Sequence, residues 1–233
     1  MENVLVIDKA ELKNFTINIE VNGLNCIKQS SKIIQKQDFI SPSFNSASQL
    51  NNSKTINYDS LESFIKRYAF FTNRASAEND DTVKQIIPYV YLQYQNLFFL
   101  VKRLKGNTEK RLVGNLSLGL GGHINEIDEG ENIILKCIKR ELKEEVSLEM
   151  IDNPKFMGII NNETTEVGRY HLGLVYKIKL YTPNIIVKET QKLAGGWASV
   201  EEISKKYDQL ENWSQILVNE CLHESFKCLN ATL

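Results

Sequence analysis

The sequence predicts an α/β domain in which helices pack on a mixed β-sheet. Apolar runs typical of strands lie on both sides of one central amphipathic helix at about residues 132–146, which is the pattern of a layered α/β domain. The 233 residues are 42% hydrophobic and 24% charged, the balance of an ordinary globular chain. This composition excludes a fully disordered tail, a collagen and a heptad rod.

The first part of the chain, residues 1–80, is predicted to be an N-terminal extension that packs on the core. It alternates short apolar runs with stretches rich in Ser, Asn and Gln. The helix at 59–70 is predicted from apolar residues at helical spacing, beginning with Leu61 and Phe64. The elements predicted before it are strands at 4–7 and 15–21, a short helix at 30–37 and a loop at 41–55.

Residues 81–233 are predicted to form the main domain, which closes with a C-terminal helix. Two β-rich runs separated by Gln95 and Asn96 predict a hairpin. The predicted strands lie at 86–94, 97–103, 116–120, 155–160, 170–181 and 185–187. The predicted helices lie at 132–146, 200–207 and 213–229.

Charge and cysteine usage exclude several classes of partner and site. Lys plus Arg is 28 and Asp plus Glu is 29, so a formal net charge of −1 gives no global field to hold a nucleic-acid polymer. Apolar runs fall short of the ~18 residues of a membrane helix, and the N-terminus lacks a signal pattern, so we expect a cytoplasmic chain without a membrane partner. The four cysteines form no C-x-x-C pair, and with only three scattered histidines the sequence predicts no zinc site.

The central helix carries an unusual group of acids. Glu141, Glu144 and Glu145 share one arc of the helix, beside its apolar stripe. Like charges at these spacings weaken a helix by roughly 0.2–0.5 kcal/mol per pair, so something should offset the repulsion. A divalent cation would do so, and clustered carboxylates suit Mg²⁺ or Mn²⁺. Two alternatives are partial neutralisation by Arg140 and Lys143, and a solvated acidic face.

A glycine pair before the helix favours a metal site over a solvated acidic face. Gly121 and Gly122 follow a predicted strand and precede the helix. Backbone carbonyls in such a segment can approach an ion without obstruction from side chains. We therefore favour a metal site over a solvated face.

The stretch 121–148 resembles the signature of the Nudix hydrolases, G-x5-E-x7-R-E-U-x-E-E-x-G-U, in which U is aliphatic. Residues 140–148 fill its second half except that Ser147 replaces a glycine, and Gly122 fills the opening glycine. Gly122 and Arg140 are 18 positions apart against 14 in the pattern, so four extra residues must loop out around 125–130. The first-half glutamate falls on Asn132. The sequence also resembles a poorly characterised subgroup of this family in two segments, Gln-Ile-Ile-Pro-Tyr from Gln85 and Leu-Gly-Leu-Gly-Gly-His around the glycine pair.

The resemblance implies a Nudix α/β/α sandwich with a mixed sheet, and it implies roles for the matched residues. Glu141, Glu144 and Glu145 become metal ligands or the general base, and the Gly122 carbonyl becomes a further ligand. Arg140 would pair with a helix carboxylate and hold its geometry. The Ser147 departure removes no ligand and changes only the helix C-terminus.

A distant loop is also able to supply an acid to such a site. The candidates are Glu163, Glu166 and Glu189, of which we choose Glu189 because it follows a strand and precedes the Leu-Ala-Gly-Gly-Trp segment. The default interpretation of each is a solvated loop acid. For substrate phosphate the candidates are Arg103, Arg111 and Arg169, because guanidinium groups match phosphate oxygens, with surface solubility as the default interpretation of each. His123 is a further candidate because it follows the glycine pair, with a loop histidine bonded to the backbone as its default interpretation.

The resulting prediction is a Mg²⁺- or Mn²⁺-dependent hydrolase that cleaves a diphosphate linkage in a nucleoside diphosphate derivative or a related compound. Metal ions would lower the repulsion between pyrophosphate and hydroxide and lower the pKa of bound water. The alternatives are a nucleotide-binding or regulatory protein of the same fold without turnover, and an isopentenyl-diphosphate isomerase-like enzyme that would use Cys137. A homodimer is expected from the family alone.

Overall fold

One long strand organises the fold. The computed structural model describes residues 2–20, 58–105, 113–149 and 152–219. Its central strand β3 (Val83–Tyr94) pairs antiparallel with β1 (Asn3–Asp8) and β4 (Leu97–Arg103), and parallel with β9 (His171–Lys179). The predicted mixed sheet is therefore confirmed. Gln95 and Asn96 join β3 to β4, as the hairpin prediction requires.

Shorter strands extend this sheet on both sides. They are β2 (Phe70–Asn73), β5 (Leu116–Ser117), β6 (Gly119–Leu120), β7 (Val146–Leu148), β8 (Lys155–Ile160), β10 (Ile185–Val187) and β11 (Leu193–Ala198). β2 pairs with β1, β5 and β11 pair with β4, β6 pairs with β3, and β8 pairs with β9, while β7 and β10 form a separate two-stranded ribbon.

Helices cover both faces of the sheet. Alternate residues of β3 enter two cores: Ile86 lies in the larger core and Ile87 in the smaller one. The helices of the described part are α1 (Lys9–Glu20), α2 (Tyr58–Tyr68), α3 (Arg74–Ala77), α4 (Ile133–Glu145), α5 (Glu166–Tyr170), α6 (Val200–Lys205) and α7 (Asn212–Leu217). The larger core includes side chains of α1, α2 and α4, and the smaller one includes side chains of α6 and α7, so the α/β/α sandwich is confirmed.

The structure corrects the prediction for the end of the first apolar run. Residues 15–20, predicted as part of a strand, belong to α1. Leu12 is buried at helical spacing from Phe15, whose ring stacks on Phe64 of α2 with centroids 4.1 Å apart. Packing between two helices therefore outweighs the strand preference of an alternating, β-branched segment. The helix predicted at 30–37 and the loop predicted at 41–55 lie outside the described residues.

Other differences concern short strands. The predicted strand at 116–120 is broken at Leu118 into β5 and β6, which pair with different neighbours. β11 was not predicted, because its two glycines hide the alternation of a strand. The predicted C-terminal helix is confirmed as far as α7 extends, and its residues from 220 on lie outside the described part.

The N-terminal residues contribute to the same layers as the rest of the chain. β1 hydrogen-bonds to β3, and α2 supplies Leu61 and Ile65 to the larger core. The division of the chain at residue 80 stays a prediction. In the described part of the chain, every helix is too short or too polar to span a bilayer.

Candidate active site

The predicted acidic helix borders a cavity of about 420 Å³. All three of its arc carboxylates, Glu141, Glu144 and Glu145, line this cavity together with the glycine pair. Glu189, the chosen loop acid, lines it too, at the end of the ribbon strand β10. The structure thus brings together every predicted metal-site residue around one space.

The position of α4 places these acids at different depths. The apolar residues Ile134, Ile138 and Leu142 are buried against the sheet, which fixes the rotation of the helix. Glu145, next to this stripe, is only 7% exposed, whereas the Glu144 side chain is 55% exposed. The backbone N–H of Gly121 donates to Glu145 Oε2 at 3.3 Å, so the glycine segment and the helix meet at this carboxylate.

Burial raises the free-energy cost of ionising the Glu145 carboxyl group. Desolvation, assisted by the nearby charges of Glu141 and Glu189, raises its pKa to about 8, although Arg103 and the Gly121 N–H act in the opposite direction. Burial also raises the pKa of Glu141, against the opposing effect of Arg140. The protein's own cations therefore do not fully offset the cost of burying the negative charges of Glu141 and Glu145. A bound metal ion would offset this cost.

Three groups hold the Arg140 side chain in place, whereas the sequence predicted only one of them, a helix carboxylate. Its Nη1 donates to Glu141 Oε1 at 2.6 Å, the predicted pairing with a helix carboxylate. Its Nε and Nη2 donate to the two carboxylate oxygens of Asp128 at 3.0 and 2.8 Å, and Nη2 also donates to the His123 carbonyl at 2.9 Å. These charge-assisted bonds raise the pKa of Arg140. Arg140 therefore ties the helix to the loop that follows the glycine pair.

Asp128 was not predicted as a site residue. It lies in a 3₁₀ turn, Glu126–Asp128, within the segment where the spacing required four extra residues. Its side chain is 3% exposed and is held by Arg140 and by the Asn125 backbone N–H. Apart from the presence of an acid in the insertion, no sequence pattern indicates this role.

Both glycines of the pair lie very close to other groups, and at Gly121 the backbone itself requires glycine. A Cβ at Gly122 would lie 2.7 Å from the Glu141 carboxylate. Gly121 has φ +138°, which L side chains rarely adopt, and a Cβ there would overlap the Pro88 carbonyl oxygen. The backbone at Gly122 therefore lies next to the Glu141 carboxylate.

We expect Gly121→Ala to lower the free energy of unfolding by about 3 kcal/mol or more, because strain and overlap add. Gly196→Ala is the matched control: its Cβ would meet nothing within 4 Å, and it should change stability by no more than about 0.5 kcal/mol. Urea unfolding of both variants measures the difference. If the two variants are equally stable, the backbone at Gly121 is not strained and its close contact with Pro88 is not tight, which contradicts this account.

The predicted phosphate contacts have mixed outcomes. Arg103 and His123 line the cavity, whereas Arg169, on α5, does not. Arg111 lies outside the described residues. Among the acids considered as a base, Glu163 instead pairs with Lys84 at 2.7 Å, and Glu166 does not line the cavity.

Several lining residues were not predicted. Arg74 lines the cavity and forms ion pairs with Glu2 at 2.9 Å and with Glu78 at 3.0 Å. Glu211 and Trp213, at the start of α7, also line the cavity. Their roles depend on which strands neighbour α7, and no local motif indicates this.

The donor set fits a hard divalent cation by its chemistry. The four predicted acidic ligands and the glycine pair line the same cavity, and oxygen ligands are those that Mg²⁺ and Mn²⁺ prefer. Within the described ranges, no three His, Cys, Asp or Glu side chains are already gathered at one point. Glu141 and Glu189 are instead ion-paired, to Arg140 and to Lys192, each at 2.6 Å.

Comparison with known proteins adds to this geometry. No family model matches the chain. The protein YmaB from Bacillus subtilis (strain 168) is 38% identical over 155 residues, which cover 63% of this chain and 75% of YmaB. The crystal structure of Tm1382, provisionally named a Nudix hydrolase, is similar with a TM-score of 0.68 and 26% identity, over 94% of this chain and 97% of Tm1382.

A more distant similarity is to a domain solved with a bound ligand. The NUDIX domain of NrtR from Shewanella oneidensis, solved with ADP ribose, has a TM-score of 0.48 and 14% identity, over 60% of this chain and 88% of that domain.

Proposed function

The chain belongs to the Nudix hydrolase family, and from this premise we propose that it is a divalent-metal-dependent hydrolase of a diphosphate linkage. The substrate class that we propose is a nucleoside diphosphate derivative or a related compound. The metal ion that we propose is Mg²⁺ or Mn²⁺.

The observation that carries this proposal is the acidic character of the cavity. Among the described residues, three cationic side chains line it, those of Arg74, Arg103 and Lys192. Six carboxylates line it as well, those of Glu2, Glu141, Glu144, Glu145, Glu189 and Glu211. A diphosphate would be repelled by this excess of negative charge, so cations must accompany the substrate.

The proposed metal ligands are the carboxylates of Glu141, Glu144 and Glu145, the Gly122 carbonyl and the Glu189 carboxylate. A bound divalent ion supplies charge neutralisation of the diphosphate and a lower pKa for the attacking water.

The other predicted residues have roles around this group. Arg140 positions Glu141 through their 2.6 Å ion pair. Glu141 or Glu144 accepts the proton of the attacking water. Arg103 and His123 contact the substrate from the same cavity.

The test is a phosphatase-coupled phosphate-release screen over nucleoside diphosphate derivatives, with and without Mg²⁺. We expect turnover only with Mg²⁺, and a loss of about 10²-fold or more in Glu144→Gln, because a ligand or base is removed. Glu62→Gln is the control, since Glu62 lies on α2 and does not line the cavity. Equal activity of Glu144→Gln and wild type would contradict the assigned role. Tight binding of diphosphates without any turnover would favour the regulatory alternative.

Metal uptake should release protons near neutral pH. The pKa of Glu145 is raised to about 8 by burial, so at pH 7 this group is mostly protonated in the metal-free protein. A metal ion binds the carboxylate form and displaces that proton. Calorimetry in buffers of different ionisation enthalpy should show release at pH 7 that vanishes well above pH 8. Wild type and Glu145→Gln with identical proton release would contradict metal binding at Glu145.

The isomerase-like alternative requires an accessible cysteine, which the structure does not provide at Cys137. This residue is fully buried in the larger core and does not line the cavity. Burial raises the pKa of its thiol, and Sγ contacts the His123 carbonyl oxygen at 3.5 Å. A buried neutral thiol is a poor catalytic group.

A further inference from the structure

A fully buried lysine holds the backbone of one wall of the cavity. Thr165, Val167 and His171 belong to helix α5 and its two ends; they line the cavity and are called the α5 wall below. Lys84, on β3, donates from Nζ to the carbonyl oxygens of Gly168 at 2.6 Å and of His171 at 3.4 Å. Carbonyl groups towards the C-terminal end of a helix lack partners within the helix, so Lys84 supplies donors that α5 itself does not provide.

The Lys84 side chain cannot touch a molecule in the cavity. Successive residues of a strand project to opposite faces of the sheet. Ile87 and Tyr89 of the same strand line the cavity, so Gln85 shares their face and Lys84 projects from the other one. Lys84 is also absent from the cavity lining. Any effect of Lys84 on a bound molecule must therefore pass through the α5 wall.

The presence of a charged group at this buried position is explained by its contacts. The Lys84 and Glu163 side chains are 1% and 53% exposed, and Lys84 Nζ lies 2.7 Å from Glu163 Oε1. Burial lowers the pKa of Lys84, and Glu163 acts in the opposite direction. An apolar side chain of similar size would avoid the cost of burying an ammonium group. What an apolar side chain cannot provide is the three N–H donors that bind two carbonyl groups and a carboxylate.

The α5 wall meets a predicted substrate contact through His171. His171 Nδ1 donates to the Val167 carbonyl oxygen at 2.7 Å, which fixes the imidazole ring relative to α5. The same ring packs against the ring of His123, with centroids 5.6 Å apart. A displacement of α5 would therefore move His171 relative to His123 and change the shape of the cavity between them.

We propose that Lys84 is a positioning residue, which fixes the α5 wall and thereby determines how tightly the substrate binds. This inference rests on the proposed function, since it assumes that the substrate occupies the cavity that α5 borders. The proposed metal ligands lie on α4, in the glycine pair and after β10, whereas Lys84 binds α5 and Glu163. Replacing Lys84 should therefore change substrate binding and leave the chemical step intact.

The test combines three measurements on the full-length protein. They are KM and kcat for the best substrate of the phosphate-release screen, Mn²⁺ affinity by calorimetry, and amide hydrogen exchange followed by mass spectrometry. The variants are Lys84→Met, Glu163→Ala and the control Lys9→Met. Lys9 is matched to Lys84 because it pairs with Glu163 as well, at 3.4 Å, but from a more exposed position.

Lys84→Met keeps the length of the side chain and removes its three donors. We expect KM to rise by about tenfold and kcat to stay within about twofold, because binding contacts shift while the α4 carboxylates do not. Peptides that cover residues 162–171 should exchange their amide hydrogens about tenfold faster, and those that cover α4 should exchange as in wild type. Mn²⁺ affinity should stay unchanged.

Glu163→Ala tests the same contact from an exposed position, and it decides the matter if Lys84→Met does not fold. It removes the carboxylate that compensates the Lys84 charge, so we expect KM to rise by about threefold and the same peptides to exchange faster. Lys9→Met should match wild type in all three measurements.

Two outcomes would overturn the role of Lys84. One is an unchanged KM together with unchanged exchange in residues 162–171 of both Lys84→Met and Glu163→Ala. The other is a parallel loss of kcat, of Mn²⁺ affinity and of protection in α4, which would mean damage to the whole fold. If exchange in 162–171 rises as expected but wild type hydrolyses no diphosphate with Mg²⁺, Lys84 holds the α5 wall and the proposed function fails.

Discussion

Replacing Glu145 with glutamine is expected to reduce Mg²⁺-dependent hydrolysis by about 10²–10³-fold while making the metal-free protein more stable. Glu145 is 7% exposed and faces the charges of Glu141 and Glu189. Without a metal ion, this carboxylate either takes up a proton or stays ionised in a desolvated place. A neutral amide avoids both costs but is a much weaker metal ligand.

The gain in stability should depend on pH. The folded-state pKa of Glu145, about 8, is raised from its usual value of 4.5, so the wild type loses stability as pH rises between these values. Relative to Glu145→Gln the wild type should therefore be less stable by about 1–3 kcal/mol at pH 7, and by more at pH 9.

Thermal unfolding in EDTA at pH 5, 7 and 9 measures this dependence, with phosphate release in Mg²⁺ as the second measurement. Glu62→Gln should match wild type in both experiments. A Glu145→Gln protein that is less stable than wild type at pH 9 without metal would show that Glu145 has a stabilising partner instead of a metal-binding role.

Replacing Arg140 with methionine should have the second largest effect. The substitution leaves the buried Asp128 carboxylate without its two charge-assisted bonds, at 3.0 and 2.8 Å, and frees Glu141 from its ion pair. Breaking one side of a buried pair costs about 3–5 kcal/mol of the free energy of unfolding. Activity should fall as well, because Glu141 loses the contact that positions it.

A double variant separates the two consequences. Adding Asp128→Leu to Arg140→Met removes the unpaired carboxylate and should restore part of the stability, but it should not restore hydrolysis. Lys139→Met, at an exposed position of the same helix, is the control and should change stability by no more than about 0.5 kcal/mol. Full recovery of activity in the double variant would contradict a positioning role for Arg140.

The carboxylate arc was predictable because its geometry is local. Helical spacing alone puts Glu141, Glu144 and Glu145 on one side of α4, and the flanking apolar residues decide which side is buried. The glycine pair was predictable for the same reason, since it lies directly before the loop that leads into the helix.

The remaining parts of the site depend on contacts between distant segments. Asp128 becomes the partner of Arg140 only through the path of the inserted turn. Arg103 and Glu211 meet because β5, next to β4, binds the segment before α7, where the Glu211 N–H donates to the Leu116 carbonyl at 2.8 Å. Spacing along one helix carries no information about such pairings.

The central claim is that α4 and the glycine pair hold a divalent cation, and the most direct measurement is a crystal structure with Mn²⁺, located by its anomalous scattering. We expect a peak about 2.1 Å from carboxylate oxygens of Glu141, Glu144 or Glu145 and from the Gly122 carbonyl oxygen. A fully soaked crystal without a peak there, in which Glu141 and Glu189 keep their ion pairs with Arg140 and Lys192, would contradict the claim.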